Sequence, residues 1–297
     1  MSGRRIKNME EFSKVSGISR PTLSKYFHDP DSVRQTTRVR VEDALAEYDY
    51  RPNIFAINQN RKLTRTIGIV VPYLADPFFA ELVRMIERLC IDAGYWPIVF
   101  SAHGQQKLET NALATLGAQK PAGALLAPLG QSSDMNALQR FTREVPTVIF
   151  DSNVPLGHAF VGSDNMQSVG LIVDYLCRTG EPPCFFETQP INPNANDRRL
   201  AYVRAMEQLG HQPKIILAER DSWDLERVGL EEGQRLIEER TLPSDTILCS
   251  NDRLAVGMIA AAYKKGLRVG HGPGYALRIA GHDDPPWSRF TCPPLTT

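Results

Sequence analysis

The chain has 297 residues, of which 42% are hydrophobic and 23% charged, with 34 Lys+Arg balancing 34 Asp+Glu. That length calls for more than one domain, the composition is that of an ordinary globular protein, and the apolar runs are far too short to span a bilayer, so fibrous, disordered and membrane-spanning classes are excluded. The charge is balanced only globally: residues 1–65 hold 13 Lys+Arg and 8 Asp+Glu, a basic head on an acidic body, which is the asymmetry of a polyanion-binding segment.

In chain order, Asn8 and Glu11 have the spacing of a helix cap and its box partner, which predicts a short helix to about Ser16. Gly17 suits a turn at positive φ. Ser19 is a second cap and Pro21 sits where a missing N–H costs nothing, predicting a helix over Arg20–Phe27. Two short helices joined by a glycine-containing turn form a helix-turn-helix, with Phe12, Val15, Ile18, Leu23 and Phe27 expected to supply its apolar faces. Arg20, Thr22, Ser24 and Lys25 then point outward, and the first turns of such a helix read base edges in a major groove. Arg binds guanine with two hydrogen bonds, whereas Ser, Thr and Lys more often fix register on phosphate. A third helix is expected over about Thr36–Glu47, with Val41, Ala44, Leu45 and Tyr48 on one face. Residues 53–62 are polar and basic and read as a linker helix that orders on DNA.

From residue 66 the pattern changes to alternating strand and helix signals. Strands are predicted at 66–72, 97–102, 123–128 and 147–152, with helices at 77–93, 106–117 and 133–143 between them. "FVGSDN" (160–165) reads as a crossover. The pattern then resumes with helices at 166–179, 197–209, 225–238 and 252–265 and strands at 183–187, 214–218, 246–249 and 277–281. The fold class is therefore α/β: an all-α head followed by two lobes with parallel, doubly wound sheets. The expected domains are a head at 1–52, a hinge at 53–63, and lobes at 64–163 and 164–297.

Two α/β lobes make a cleft, and ligands of open α/β sheets bind beyond the carboxyl ends of the strands. At those ends lie Asp76 with Phe78 and Phe79, Asp151, Arg198, Trp223, Asn251 and Asp283. Carboxylates, an arginine and aromatic rings are the groups that hydrogen-bond and stack on a polyol or sugar. Each also has a bland alternative: Asp252 reads as a helix cap, and one of the two phenylalanines as core. An enzyme is not expected, because no nucleophile elbow, phosphate loop or dinucleotide fingerprint is visible, and "GHGPG" (270–274) lies between a helix end and a strand, the wrong order for the last. No metal or cofactor is expected: the five cysteines (90, 177, 184, 249 and 292) show neither Cys-x-x-Cys nor Cys/His spacing and read mostly as buried thiols. The N-terminal Met-Ser-Gly-Arg-Arg-Ile-Lys has no apolar run after its charges, unlike a secretory signal, so a cytoplasmic location is expected. That feature and the basic head also weigh against the other reading of a two-lobed body, an exported solute-binding protein.

"SGISRPTLSKYFHDPDSVRQTTRVRVEDALAEYDYRPN", followed by "RTIGIVVPYLADPFFAELVRMIE", resembles the lac-repressor-type (LacI/GalR) regulators, in order and over essentially the entire chain. The resemblance implies a sequence-specific regulator of the repressor type: a homodimer that binds a double-stranded DNA operator, with a hinge helix entering the minor groove and a periplasmic-binding-protein-like sensor for a small effector, often a sugar. On it the DNA-facing set is Arg20, Pro21, Thr22, Ser24, Lys25, Thr37, Asn53 and Gln59. Arg20 and Pro21 take the main base-reading positions, and Gln59 stands where the family's hinge places a wedging Leu. The effector set is Asp76, Phe78, Phe79, Asp151, Arg198, Trp223, Asn251 and Asp283, with His103 and Phe150 as weaker candidates. In the family about forty residues follow the equivalent of "PPLTT" (293–297) and return to the first lobe, so an exposed sheet edge and unburied apolar surface are expected here.

Overall fold

The structure, a computed structural model, describes residues 6–52, 64–156, 159–189, 192–219 and 222–297. The chain divides into two units, Met1–Thr64 and Arg65–Thr297.

The first unit is helical: α1 Met9–Ser16, α2 Arg20–His28 and α3 Gln35–Glu47. The Asn8 side chain accepts from the Glu11 amide, capping α1. Glu11 reaches back as expected, but to the amide of Lys7, one residue before the cap, at 2.8 Å. Gly17 closes α1 at φ 64°, a left-handed conformation that a side chain would strain. Ser19 caps α2 through the Thr22 amide. The core is Phe12, Ile18, Leu23, Val41, Ala44 and Tyr50, with Phe27 and Leu45 partly buried against it. Two expected core positions are corrected: Val15 and Tyr48 are exposed. Tyr50 supplies the missing aromatic surface instead, stacking on Phe12 with centroids 4.4 Å apart. Tyr48 lies over the rim, its hydroxyl donating to the Val15 carbonyl.

The second unit holds two all-parallel sheets. The strands are β1 Thr66–Val71, β2 Trp96–Ser101, β3 Gly123–Leu126, β4 Thr147–Phe150, β5 Ala159–Val161, β6 Cys184–Glu187, β7 Ile215–Leu217, β8 Thr246–Cys249 and β9 Arg278–Ala280. The first sheet has the order β2-β1-β3-β4-β5 and the second β7-β6-β8-β9. The helices are α4 Pro77–Asp92, α5 Gln106–Ala118, α6 Met135–Glu144, α7 Asn165–Thr179, α8 Pro193–Gln208, α9 Leu225–Glu239 and α10 Asp252–Lys264.

Alternation along each strand feeds two faces. In β1, Ile69 and Val71 pack with Phe79 and Val83 of α4, while Val70 packs with α5 and α6 through Leu113, Leu116, Leu138 and Phe141. In the second sheet Cys184, Phe186, Ile247 and Cys249 face α9 and α10, and Phe185 and Leu248 face Val173, Leu176, Tyr202 and Met206 of α7 and α8. Each sheet is thus doubly wound, and every strand's carboxyl end opens toward the same loops. The cysteines are less uniformly buried than expected: Cys184 and Cys249 are buried, Cys90 and Cys177 half-buried, and Cys292 exposed.

Three further expectations are corrected. The "FVGSDN" segment is not simply a crossover: Phe160 and Val161 belong to β5, which pairs with β4 and is exposed at all three residues. Arg198 does not start a helix, because α8 begins at Pro193 behind an Asn192 cap and places Arg198 in its second turn. Asp252 is not a cap: Asn251 caps α10 by accepting from Leu254, and Asp252 is buried just inside. At the other sheet edge β9 is not bare, since Thr296 bridges Ala280 and accepts from the Gly281 amide at 2.8 Å.

Candidate functional site

In the first unit, α2 presents Arg20, Pro21, Ser24 and Lys25 to solvent; Thr22 is half-buried, its hydroxyl 2.8 Å from that of Ser19. Thr37, on α3, is half-buried. Among the described residues, neither the Arg20 nor the Lys25 side chain makes a hydrogen bond or ion pair. By contrast Arg38 is held by Asp31 and Glu42, and Arg40 donates to the Gly17 carbonyl. Arg20 and Lys25 thus carry charge on a ridge whose shape is fixed by the core beneath it. Asn53, Gln59 and the rest of the expected hinge lie outside the described residues.

In the second unit, all eight residues of the expected effector set line one cavity of about 70 Å³, which opens to solvent. The topology explains the convergence. Asp76 follows β1, Asp151 follows β4, Trp223 follows β7, Asn251 follows β8 and Asp283 follows β9, and parallel strands deliver all these loops to one rim. Phe79 also belongs to the core, while Phe78 is half-buried. Phe150 is core, and His103 is exposed, its ring edge-on to Tyr73.

Arg198 organises the floor. Its Nε donates to Asn165 Oδ1 (3.1 Å), Nη1 to the Ser250 carbonyl (2.8 Å) and Nη2 to Asp283 Oδ1 (2.7 Å). Burial works to raise the Asp283 carboxyl, but Arg198 and the adjacent His282 together outweigh it and hold the group below its ordinary range. Asp151 goes the other way: burial lifts it to about 7, with Arg198 opposing and the charges of Asp283 and Asp76 adding to the lift. Asp76 is likewise raised by burial, against the pull of Arg253. Three carboxylates that feel one another around two guanidinium groups make a site rich in acceptors, suited to a ligand rich in hydroxyls.

Several lining residues escaped the sequence reading. Asn194 donates to Asp151 Oδ1 at 2.8 Å and to the Asp151 carbonyl at 3.0 Å. Asn165 donates to Asn194 Oδ1 (2.9 Å). Arg253 is buried between Glu226 and Asp76. One signal was present for Arg253: a cation in the first turn of a helix opposes the helix dipole, so its placement there asks for carboxylate partners.

The cavity, the helix-turn-helix and the two sheets coincide with known sequence patterns. Residues 64–275 match the periplasmic binding proteins and sugar binding domain of the LacI family, and residues 8–53 match the bacterial regulatory proteins of the lacI family. The chain belongs to the LacI family. As a LacI-family chain it is 28% identical over 294 residues to the ribose operon repressor of Escherichia coli (strain K12), covering 98% of this chain and 87% of that protein. It is 28% identical over 293 residues to the transcriptional repressor CytR of the same strain, covering 97% of this chain and 83% of that one. The crystal structure of the Lac repressor dimer bound to operator and an anti-inducer shares the fold of this LacI-family chain, with a TM-score of 0.82 at 23% identity over 98% of this chain and 86% of that one.

Proposed function

We propose that the chain is a sequence-specific transcriptional repressor whose operator affinity is set by a small hydroxyl-rich effector such as a sugar. The observation that carries the reading is the presence, in one chain, of a helix-turn-helix with an exposed cationic ridge and of an acceptor-rich cavity at parallel strand ends. Residues 1–52 are the DNA head, 53–63 the hinge, and 64–163 and 164–297 the two lobes of the sensor. Two copies present two heads to a pseudo-palindromic operator. Arg20 reads guanine, Pro21 offers only apolar contact, Thr22, Ser24, Lys25 and Thr37 hold phosphate, and Asn53 and Gln59 enter the minor groove.

The effector meets Asp76, Asp151, Arg198, Asn251 and Asp283, and stacks on Phe78, Phe79 and Trp223. By changing the relation of the lobes it alters head spacing, and the coupling is reciprocal: operator occupancy shifts effector affinity by the same factor. The protein acts in the cytoplasm, where its operator is; no helix of the described residues is long and apolar enough to cross a membrane. The test is a titration of the full chain into an operator selected from random duplexes and into its scrambled sequence, across salt concentrations. Equal affinity for the two duplexes overturns specific recognition.

A further inference from the structure

The polar contacts of the cavity are not confined to one lobe. Arg253, on α10 beneath the second sheet, is bidentate on Glu226 of α9, with Nε to Oε1 at 2.8 Å and Nη2 to Oε2 at 2.5 Å. Its remaining nitrogen, Nη1, donates across the cleft to Asp76 Oδ2 at 3.2 Å, beside the first sheet. The Arg253 side chain is 8% exposed and that of Asp76 13%. Further contacts cross the same gap, among them Asn194 onto Asp151, and Trp223 stacked on Tyr73 with centroids 5.6 Å apart. Trp223 also presses on Gly104, where a Cβ would lie 2.3 Å from the indole nitrogen.

We propose that Arg253 is a positioning residue of the cleft: by linking Glu226 to Asp76 it holds the two lobes together and keeps Asp76 occupied, so that an effector gains Asp76 only by displacing the guanidinium. The first half stands on the geometry alone; the second rests on the effector reading above. The placement has a physical rationale beyond stability. A buried ion pair recovers little more than its desolvation cost, and a cation in the first turn of α10 is opposed by the helix dipole. What the arrangement adds is neutralisation. Remove Arg253, and Asp76 faces the Asp283 charge with no counter-ion of its own, a repulsion relieved by parting the lobes and admitting water. A ligand group that replaces Nη1 on Asp76 must be a donor, a hydroxyl or an ammonium, because Asp76 presents an acceptor there.

Asp76→Asn isolates the tie. Asn caps a helix as well as Asp, so the bond from the Phe78 amide to Oδ1 (3.0 Å) is retained while the ion pair across the cleft is lost. Arg253→Leu removes the same link from the other side and leaves a glutamate that solvent reaches. The measurement is hydrogen–deuterium exchange on the full chain with no sugar added, read with the radius of gyration in solution. In both variants amides of residues 73–79 and 250–254 should exchange about tenfold faster, with a larger radius and with the centres of β3 and β6 unchanged. The double variant should add nothing to either single change, the signature of one shared contact. Unchanged exchange at the cleft overturns the proposal, and so does acceleration spread through both sheet centres, which marks a folding defect instead. Because no sugar enters the experiment, its failure leaves the effector reading standing, and failure of that reading in a sugar thermal-shift screen leaves the tie standing.

Discussion

Arg198 meets three acceptors in three directions, Asn165, Ser250 and Asp283, so its removal has two separable consequences. Arg198→Ala strands a buried carboxylate, and the sensor should lose about 3–5 kcal/mol of stability in denaturant titration. Arg198→Lys keeps a charge near Asp283 without the fork and should lose less. In both variants the thermal shift produced by a binding sugar should vanish while operator affinity persists below the melting temperature; loss of operator binding alone would give Arg198 a purely structural role. Asp151 makes a different prediction. Burial holds it at about 7 in the folded chain, and holds Asp252 there too against the Thr297 hydroxyl. A carboxyl raised above its ordinary 3.8 contributes stability that is complete below that value and is lost as pH rises through 7. The sensor's melting temperature should therefore fall between pH 4 and 8, and Asp151→Asn, neutral throughout, should flatten the fall; parallel curves for the two proteins would refute the assignment. Asp76, Asp151 and Asp283 were legible because parallel strands bring their loops to one rim. Arg253 was not recognised: its place in the first turn of α10 asks for carboxylate partners but does not say which, and its bond to Asp76 joins positions 177 apart in sequence.

At the scale of elements, the head depends on two turns of backbone. Gly17 at φ 64° and the Ser19 cap set the angle at which α2 leaves α1. Gly17→Ala and Ser19→Ala should each destabilise the head by about 1 kcal/mol, seen as faster amide exchange in α1 and α2 of the full chain with the sensor's exchange unchanged. These caps were readable because they are local side-chain chemistry. The strands of the sheet interiors were readable for a related reason: β1, β6 and β8 are apolar runs bounded by breakers, as strands buried on both faces must be. β5 was missed because all three of its residues are exposed and show no alternation; it exists through pairing with β4, which sequence does not report. The early start of α8 and the cap of α10 were each misread at Asx residues. Asn192 precedes a Pro at the first helical position, and Asn251 stands beside Asp252, an equally good cap, so the choice fell to burial: Asp252 is drawn inside and bonded by Thr297. Val15 and Tyr48 were misassigned by extending helical periodicity, whereas the Phe12–Tyr50 stack fills that layer of the core from beyond the end of α3.

At the scale of the whole molecule, charge is partitioned: the basic surplus of residues 1–65 is matched by an acidic surplus over the rest. A duplex is therefore drawn to the head and repelled by the sensor, which favours docking head first. The same partition sets the salt dependence. Each phosphate neutralised contributes about −0.9 to the slope of log affinity against log salt, so residues with different roles on α2 can be told apart by slope and by duplex. Lys25→Ala should reduce the slope by about one and weaken operator and scrambled DNA alike, as a phosphate contact does. Arg20→Ala should cost about 1–3 kcal/mol on the operator and much less on the scrambled duplex, as loss of a bidentate base contact does. Both side chains are free of other bonds among the described residues and neither belongs to the core of the head, so both variants should keep the wild-type exchange pattern in α1–α3, which separates them from Gly17→Ala. If Arg20→Ala lowers both affinities equally, Arg20 holds phosphate and the bases are read elsewhere. If neither substitution changes affinity, the ridge on α2 is not the surface that meets DNA.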